Sequence, residues 1–454
     1  MNRNTLDKII ENNSDRYIQE LLKYLRQPSL SVNGEGIGKM VEMIAESLRI
    51  RGFSVEIIPT DHWPTIFAER KGRSDRSVIF YNHYDVQPGD PLDFWVSPPF
   101  EPQIRDGRLF ARGAMDDKGH LICRIAAVDA LLAQNDELPC TIKFLIEGEE
   151  EIGSPDLQTV VEQYKDRIHS DLCLWEFGDV DEDGYSIQYL GYRGMLNIEL
   201  NIQTAPGDGH SGIWGNLLPN AAWRLVWALA SLKDSNEKVL VPGFYDDIIP
   251  PSESDIDYLK QLPPMREKYT TTAGSKYLVT GDLDNADLII QSVMQPSCTI
   301  CGLTSGYQGE GAKTIVPCNA RAKVDFRLSP GQDADDILAK VRHHLDNNGF
   351  KDISIRVLGR LSASRTPSDH PLVKLLVSSA EGIYGKPQRV LPICGGSGPA
   401  FLFDGIAETP VFTAGIGNPQ SAIHSPNENI KIIDFINGIR HTARICQLLE
   451  SYQK

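Results

Sequence analysis

Three short apolar runs, each ending on a carboxylate or an imidazole, constrain this chain more than any other feature. Val78-Ile79-Phe80-Tyr81 runs into Asn82-His83. Thr141 to Ile146 runs into Glu147-Gly148-Glu149-Glu150-Glu151, and Leu172-Cys173-Leu174-Trp175 runs into Glu176. The first of these suits a strand buried on both faces, and the other two read as strands as well. Between the first two stands Ala111-Arg112-Gly113-Ala114-Met115-Asp116-Asp117-Lys118-Gly119-His120. Apolar residues follow at Leu121, Ile122, Ile125, Ala126, Val128, Leu131 and Leu132, close to the spacing of a helix's buried face. Strands alternating with helices predict an α/β fold with a mostly parallel sheet. Ligands gather beyond the carboxyl ends of such strands, where His83, Glu150, Glu151 and Glu176 stand.

Near Gly191-Tyr192-Arg193-Gly194 the pattern changes. Met195 to Thr204 alternates apolar and polar residues, Asn216 to Leu232 is helical in pattern, and Ser297 to Leu303 and Ala320 to Leu328 read as strands. Asp333 to Leu345 is helical again and Ile353 to Leu358 is a strand. The order β-α-β-β-α-β is that of a ferredoxin-like α+β unit. From His370 the helix–strand alternation resumes: a helix to Tyr384, a Gly395-Gly396-Ser397-Gly398 loop, a strand from Thr409 to Phe412, then His424 and a final helix. The expected architecture is a catalytic α/β domain in two parts, residues 1–193 and 366–454, interrupted by an inserted domain at 194–365.

At 454 residues the chain exceeds one ordinary core, which agrees with two domains. Its formal net charge of −16 opposes nucleic acid or an anionic membrane surface as a partner. No apolar run reaches the ~18 residues of a spanning helix. Met1 to Arg26 reads as an amphipathic helix rather than a signal peptide. The eight cysteines are scattered, and Cys298-x-x-Cys301 has no second pair to complete a zinc site, so they read as buried free thiols of a reducing cytoplasm.

Taken singly, Asp116 suits a helix cap, His83 a satisfied histidine at a strand end, and Glu149-Glu150-Glu151 a solvated run. Together they match what a two-metal hydrolase needs: a bridging carboxylate, flanking ligands and a carboxylate left free as base, with metals ~3.5–4 Å apart. Asp116 is the candidate bridge and His83 a ligand, with Asp85 holding the other ring nitrogen. Imidazole and carboxylate ligands without cysteine suit zinc, and manganese or cobalt would also fit.

The pieces His83-x-Asp85, Asp116-Asp117-Lys118-Gly119, Glu150-Glu151-x-Gly153-Ser154 and His424-Ser425 resemble the dinuclear-zinc exopeptidase and aminoacylase family. The stretches His83-Tyr84-Asp85-Val86-Gln87-Pro88 and Gly311-Ala312-Lys313-Thr314 are most similar to its carnosinase and Cys-Gly dipeptidase branch. The resemblance implies two divalent metal ions per chain. Asp116 would bridge them, His83 and Glu176 would complete one, and Glu151 and His424 the other. It also implies Glu150 as general base and a cis peptide between Asp116 and Asp117.

His210, in Gly207-Asp208-Gly209-His210-Ser211-Gly212, matches the family's oxyanion-stabilising histidine, which in many members reaches the partner subunit's site. The residues alone allow His210 equally as a loop residue before a helix. Arg327 matches the arginine that binds the substrate carboxylate, and Thr314, His370 and Ser397 match substrate-side positions. The inserted domain would serve as lid and dimerisation domain. The implied enzyme is a cytoplasmic, homodimeric metallopeptidase acting on dipeptides or short peptides with a free C-terminal carboxylate. The family's dipeptidases usually carry Asp where this chain has Glu176, and its deacylases and carboxypeptidases carry Glu, so an N-acyl amino acid deacylase is the alternative. A catalytically inactive binding protein on the same fold is a remote third. The calcium-loop-like run from Asp179 to Gly184 reads as an acidic turn, because Leu190 stands where such a loop needs a bidentate Glu. His343-His344 reads as solvated.

Overall fold

In the computed structural model, which describes residues 3–453, the chain separates into two compact units. One holds the chain up to Gly191, Arg365–Pro392 and everything from Leu402. The other holds Tyr192–Ser364 and Ile393–Phe401. The first unit begins with α1 (Arg3–Asn12), α2 (Ser14–Leu25), β1 (Ser54–Ile58), β2 (Thr65–Arg70), β3 (Ser77–His83), α3 (Lys118–Asn135), β4 (Thr141–Glu147) and β5 (Leu172–Trp175). The second carries β6 (Gly194–Gln203), α4 (Ala221–Leu232), β7 (Ser297–Ser305), β8 (Asn319–Leu328), α5 (Ala334–Asn347) and β9 (Ser354–Leu361). The chain then returns with α6 (Pro371–Ser379), β10 (Val411–Thr413) and α7 (Ile432–Glu450).

The first unit's sheet runs β1-β2-β4-β3-β5-β10. The pairs β3–β4, β3–β5 and β5–β10 are parallel, whereas β1–β2 and β2–β4 are antiparallel. The register sets His83 opposite Glu147, and Phe80 between Phe144 and Leu174. The residues that follow β3, β4 and β5 therefore leave the sheet at one edge. The second unit's sheet, β7-β8-β6-β9, is antiparallel throughout. Alternate residues Leu196, Ile198 and Leu200 of β6 and Ala322, Val324, Phe326 and Leu328 of β8 form its core with Leu225 and Val341 of the helices. Arg327 stands on the other face of β8 by the same period-2 rule.

Several elements differ from the sequence pattern, each for a local reason. The N-terminal helix is two helices. Asn13 separates them, with its Nδ2 donating to the Ile9 carbonyl at 2.8 Å, a side-chain bond that competes with the helix ladder. Met1 and Asn2 lie outside the described residues. The helix read from Asn216 begins at Ala221, because the Asn220 side chain caps it by accepting from Trp223 N at 3.2 Å. The helix read to Tyr384 ends at Ser379, and Gly382 follows at φ 71°. His344 is buried rather than solvated, its Nε2 2.9 Å from the Ser231 carbonyl oxygen. Cys301 is exposed and Cys394 half-buried, while the other six cysteines are buried. α3 has no solvent face over its first three turns: every residue from Lys118 to Val128 is buried, because α1, α2 and α7 pack around it.

Candidate metal centre

Three strand ends and two loops of the first unit converge on Asp116. Its Oδ1 lies 2.9 Å from His83 Nε2, at the end of β3. Its Oδ2 lies 2.9 Å from His424 Nε2. Glu151, in the turn after β4, places Oε2 3.0 Å from the same His424 nitrogen. Glu176, the residue after β5, places Oε2 3.9 Å from His83 Nε2. The donors sort into two groups, His83, Asp117 and Glu176 on one side and Asp116, Glu151 and His424 on the other, each with its ligand atoms within 4.8 Å of one another. The peptide joining Asp116 to Asp117 is cis.

The three adjacent glutamates go three ways. Glu149 turns inward and accepts from Thr60 Oγ1 at 2.7 Å and Trp63 N at 3.1 Å. Glu151 is held by Gln87, whose backbone N–H donates to Oε1 at 3.1 Å and whose Nε2 donates to Oε2 at 2.9 Å. Glu150 has no side-chain hydrogen bond to any described residue and stays available. Asp85 does more than hold an imidazole. His83 Nδ1 lies 3.0 Å from its carbonyl oxygen and 3.3 Å from Oδ1, and its carboxylate also accepts from the backbone of Glu150 at 3.3 Å and Glu151 at 3.0 Å. One residue thus orients the His83 ring and anchors the turn that carries Glu150 and Glu151.

The electrostatics follow from crowding acids at one edge. Burial alone would raise the Asp116 carboxyl, but hydrogen bonds to His424 and His83 outweigh it and hold it well below the usual range. Bonds to Asp116 and Glu151 lift His424 to about 10. Burial lifts Glu150 to about 8, opposed by His83 and reinforced by the charges of Asp116, Glu151 and Asp85. Burial also pushes Glu176 well up, and its Oε2 is buried without a hydrogen-bond partner. An orphaned carboxylate oxygen facing an imidazole, amid acids that raise one another, fits a site completed by cations. The donor set, two imidazoles and carboxylates with no thiol, fits a zinc-like divalent ion.

Three contributors escaped the sequence reading. The sequence pattern assigns Asp117 no role, yet its Oδ2 accepts from Asn82 Nδ2 at 2.6 Å and from His83 N at 3.0 Å. Gln87 stood in the His83–Pro88 stretch with nothing to mark it as the partner of Glu151. Glu428 is fully buried and gathers the Asp116 loop: it accepts from Arg112 Nη1 at 2.7 Å and from the N–H groups of Gly113, Met115 and Asp116 at 2.9, 2.8 and 2.9 Å. Its only signal in the sequence is a position four residues after His424.

The remaining candidates lie in other clusters. In the second unit, His210 pairs with Ile315 in a two-residue ladder, and Ser211 N donates to the Thr314 carbonyl at 3.0 Å, so His210 and Thr314 are neighbours. The His210 ring caps the short helix after it, accepting from Gly212 N at 3.1 Å. Also in the second unit, Arg327 donates from Nε to Asp325 Oδ2 at 3.0 Å and from Nη1 to Ser397 Oγ at 2.9 Å. His370, in the first unit, caps α6 by accepting from Leu372 N at 3.3 Å, and no hydrogen bond joins it to the metal-site residues among those described.

A sequence model described as Peptidase family M20/M25/M40 matches residues 79–448. Beta-Ala-His dipeptidase of Homo sapiens is 31% identical over 394 residues, covering 83% of this chain and 76% of its own. Cys-Gly metallodipeptidase DUG1 of Saccharomyces cerevisiae is 24% identical over 471 residues, covering 96% of each. Among solved structures, the M20 family metallo-carboxypeptidase Sso-CP2 from Sulfolobus solfataricus superposes with a TM-score of 0.89 at 33% identity, over 96% of this chain and 99% of that one. A carboxylate within reach of two imidazoles, in a fold that superposes on this enzyme and within a sequence that matches the family model over most of its length, leaves one assignment: the chain belongs to peptidase family M20/M25/M40.

Proposed function

We propose that the protein is a dinuclear metal-dependent dipeptidase, hydrolysing the amide bond of dipeptides or short peptides that end in a free carboxylate. The observation that carries this reading is Asp116, with one oxygen 2.9 Å from His83 and the other 2.9 Å from His424. That is the placement a bridging ligand needs. His83, Asp116 and Glu176 would hold one ion, and Asp116, Glu151 and His424 the other. Zinc is the proposed metal, and bound there it would acidify water and polarise the scissile carbonyl.

The side chains divide the rest of the work. Glu150 takes the proton of the attacking water and delivers it to the leaving amine. Asp85 and Gln87 keep His83 and Glu151 aimed. His210 donates to the developing oxyanion. Arg327, steadied by Ser397, takes the substrate carboxylate, and Thr314 and His370 contribute on the substrate side. The segment 194–365 acts as lid and dimerisation domain in a cytoplasmic homodimer, with His210 of one chain serving the metals of the other. No helix among the described residues is long and apolar enough to cross a membrane.

Glu176 favours a second reading, an N-acyl amino acid deacylase. Comparing kcat/KM of metal-loaded protein across a dipeptide panel and an N-acyl amino acid panel separates the two. Dipeptides should rank first by at least tenfold. The reverse ranking replaces the dipeptidase with the deacylase, and no turnover in either panel removes both.

A further inference from the structure

Arg193 sits where the sequence changes character, in Gly191-Tyr192-Arg193-Gly194, and the chemistry above leaves it without a role. Its side chain is only 6% exposed. Nη1 donates to the Ser292 carbonyl at 3.1 Å, and Nη2 to the Gln295 carbonyl at 2.6 Å and the Arg327 carbonyl at 3.5 Å. Its backbone N–H donates to Gly396 O at 3.0 Å, in the glycine loop that presents Ser397. The next residue, Gly194, has its carbonyl oxygen 3.5 Å from Ser397 Oγ. Arg193 therefore joins β6, the carbonyl of Arg327 and the loop that steadies the Arg327 guanidinium.

Charge is the second half of the argument. Among the described residues no carboxylate lies within ion-pair distance of Arg193, and its Nε is buried without a partner. Arg327 has one such carboxylate, Asp325. Two guanidiniums share one acid, which leaves the cluster one positive charge in excess. Burial first, then the Arg327 charge, lowers Arg193 to about 10, so it remains a cation at neutral pH. A buried uncompensated cation is costly, and an arriving carboxylate offsets that cost.

We propose that Arg193 is a positioning residue for the Arg327–Ser397 pair, and that its charge makes a free carboxylate on the ligand a requirement rather than a preference. This rests on the reading of Arg327 as the carboxylate site. Binding, not turnover, tests it, so that the two can fail separately. The probes are a reduced-amide dipeptide, which lacks the scissile carbonyl, with a free carboxylate, and the same molecule as its C-terminal amide. Both are titrated calorimetrically into metal-loaded protein.

Wild type should prefer the carboxylate form. R193M should shrink that preference about tenfold, with metal content unchanged by elemental analysis, and R193K should restore most of it. Asp325→Asn removes the one acid and should widen the preference, which keeps the idea exposed even where R193M fails to fold. R193M that weakens both probes equally has a merely structural arginine, and an unchanged preference in R193M or a narrower one in Asp325→Asn overturns the proposal. Protein that shows the carboxylate preference and hydrolyses no dipeptide keeps the Arg193 assignment and discards the dipeptidase.

Discussion

The candidate metal centre of the first unit and the cationic candidates of the second are built on opposite plans. His83, Asp85 and Asp117 are fully buried at or beside strand ends, and backbone groups from other segments hold them: His83 N on Asp117, Glu151 N on Asp85, Asp116 N on Glu428. His210 lies exposed on a two-residue ladder, and among the described residues its ring bonds only to its own turn. Arg327 is anchored by two side chains. The lesson concerns preorganisation: ligands must be in place before a cation arrives, because clustered carboxylates repel, whereas a donor to an oxyanion acts only when substrate is present.

The largest test of that contrast removes its centre. Asp116→Ala should lose both metals and all measurable turnover, while His83→Ala should lose mainly one metal. Two tightly bound metals per chain in Asp116→Ala, read by elemental analysis, would break the bridging assignment. Next comes Glu150→Ala, which should keep both metals and lose on the order of 10³- to 10⁴-fold in kcat. Near-normal turnover there would show that another group moves the proton.

On the other side of the comparison, His210→Ala should cost about 10²- to 10³-fold in kcat with metal content intact, the size of a lost oxyanion donor. Mixing it with Glu150→Ala protein after dissociation and reassociation should recover activity above either parent, since a mixed dimer carries one site with both residues. Subunits that exchange without any recovery would place His210 in its own chain's chemistry.

Acid should also separate the units. His441, buried in the first, is pushed down to about 4 by burial, opposed by a hydrogen bond to the Leu376 backbone and reinforced by the Arg444 charge. As pH falls below ~6.5 the unfolded chain takes up a proton that the folded chain refuses until about 4. Stability is therefore full above that window and falls through it, by about 3 kcal/mol in all. Thermal unfolding of His441→Gln should show a flatter acid slope between pH 6.5 and 4, and an unchanged slope would remove His441 as the cause.

The smallest effect expected is that of Glu428→Gln. It weakens the clamp on the Asp116 loop and should lower metal affinity about 10- to 100-fold, as for groups that orient metal ligands elsewhere. The carboxylate preference of the second unit should not change. A parallel loss of both would mean that the clamp acts on folding and not on the metal loop.

Much of this was legible in residues taken in order. β5 runs from Leu172 to Trp175, as its apolar run predicts, because a strand buried on both faces reads as an unbroken hydrophobic stretch. The alternation in β6 and β8 marked a sheet with one buried face, and the β-α-β-β-α-β order gave its topology. His83, Glu151 and Glu176 were visible because an ionisable side chain just past a buried strand is costly unless used. The boundaries missed at Asn13, Asn220 and Gly382 turned on a side-chain bond, a cap and a left-handed glycine, single-residue events that periodicity averages over.

What only the tertiary structure decided are the partnerships between distant segments. Glu428 beside Arg112, Gln87 beside Glu151, Asp117 rather than Asp116 alone facing His83 and Glu176, and Arg193 behind Arg327 have no local signature. Each is a polar group whose partner is chosen by how loops meet once the sheets have formed. The sequence by itself determined which chemistry sits at which strand end, because hydrophobic period and side-chain type are properties of neighbours along the chain. The fold decided which of those groups stand together and which hold the others still, because that depends on distances of a few ångströms between residues up to 316 positions apart.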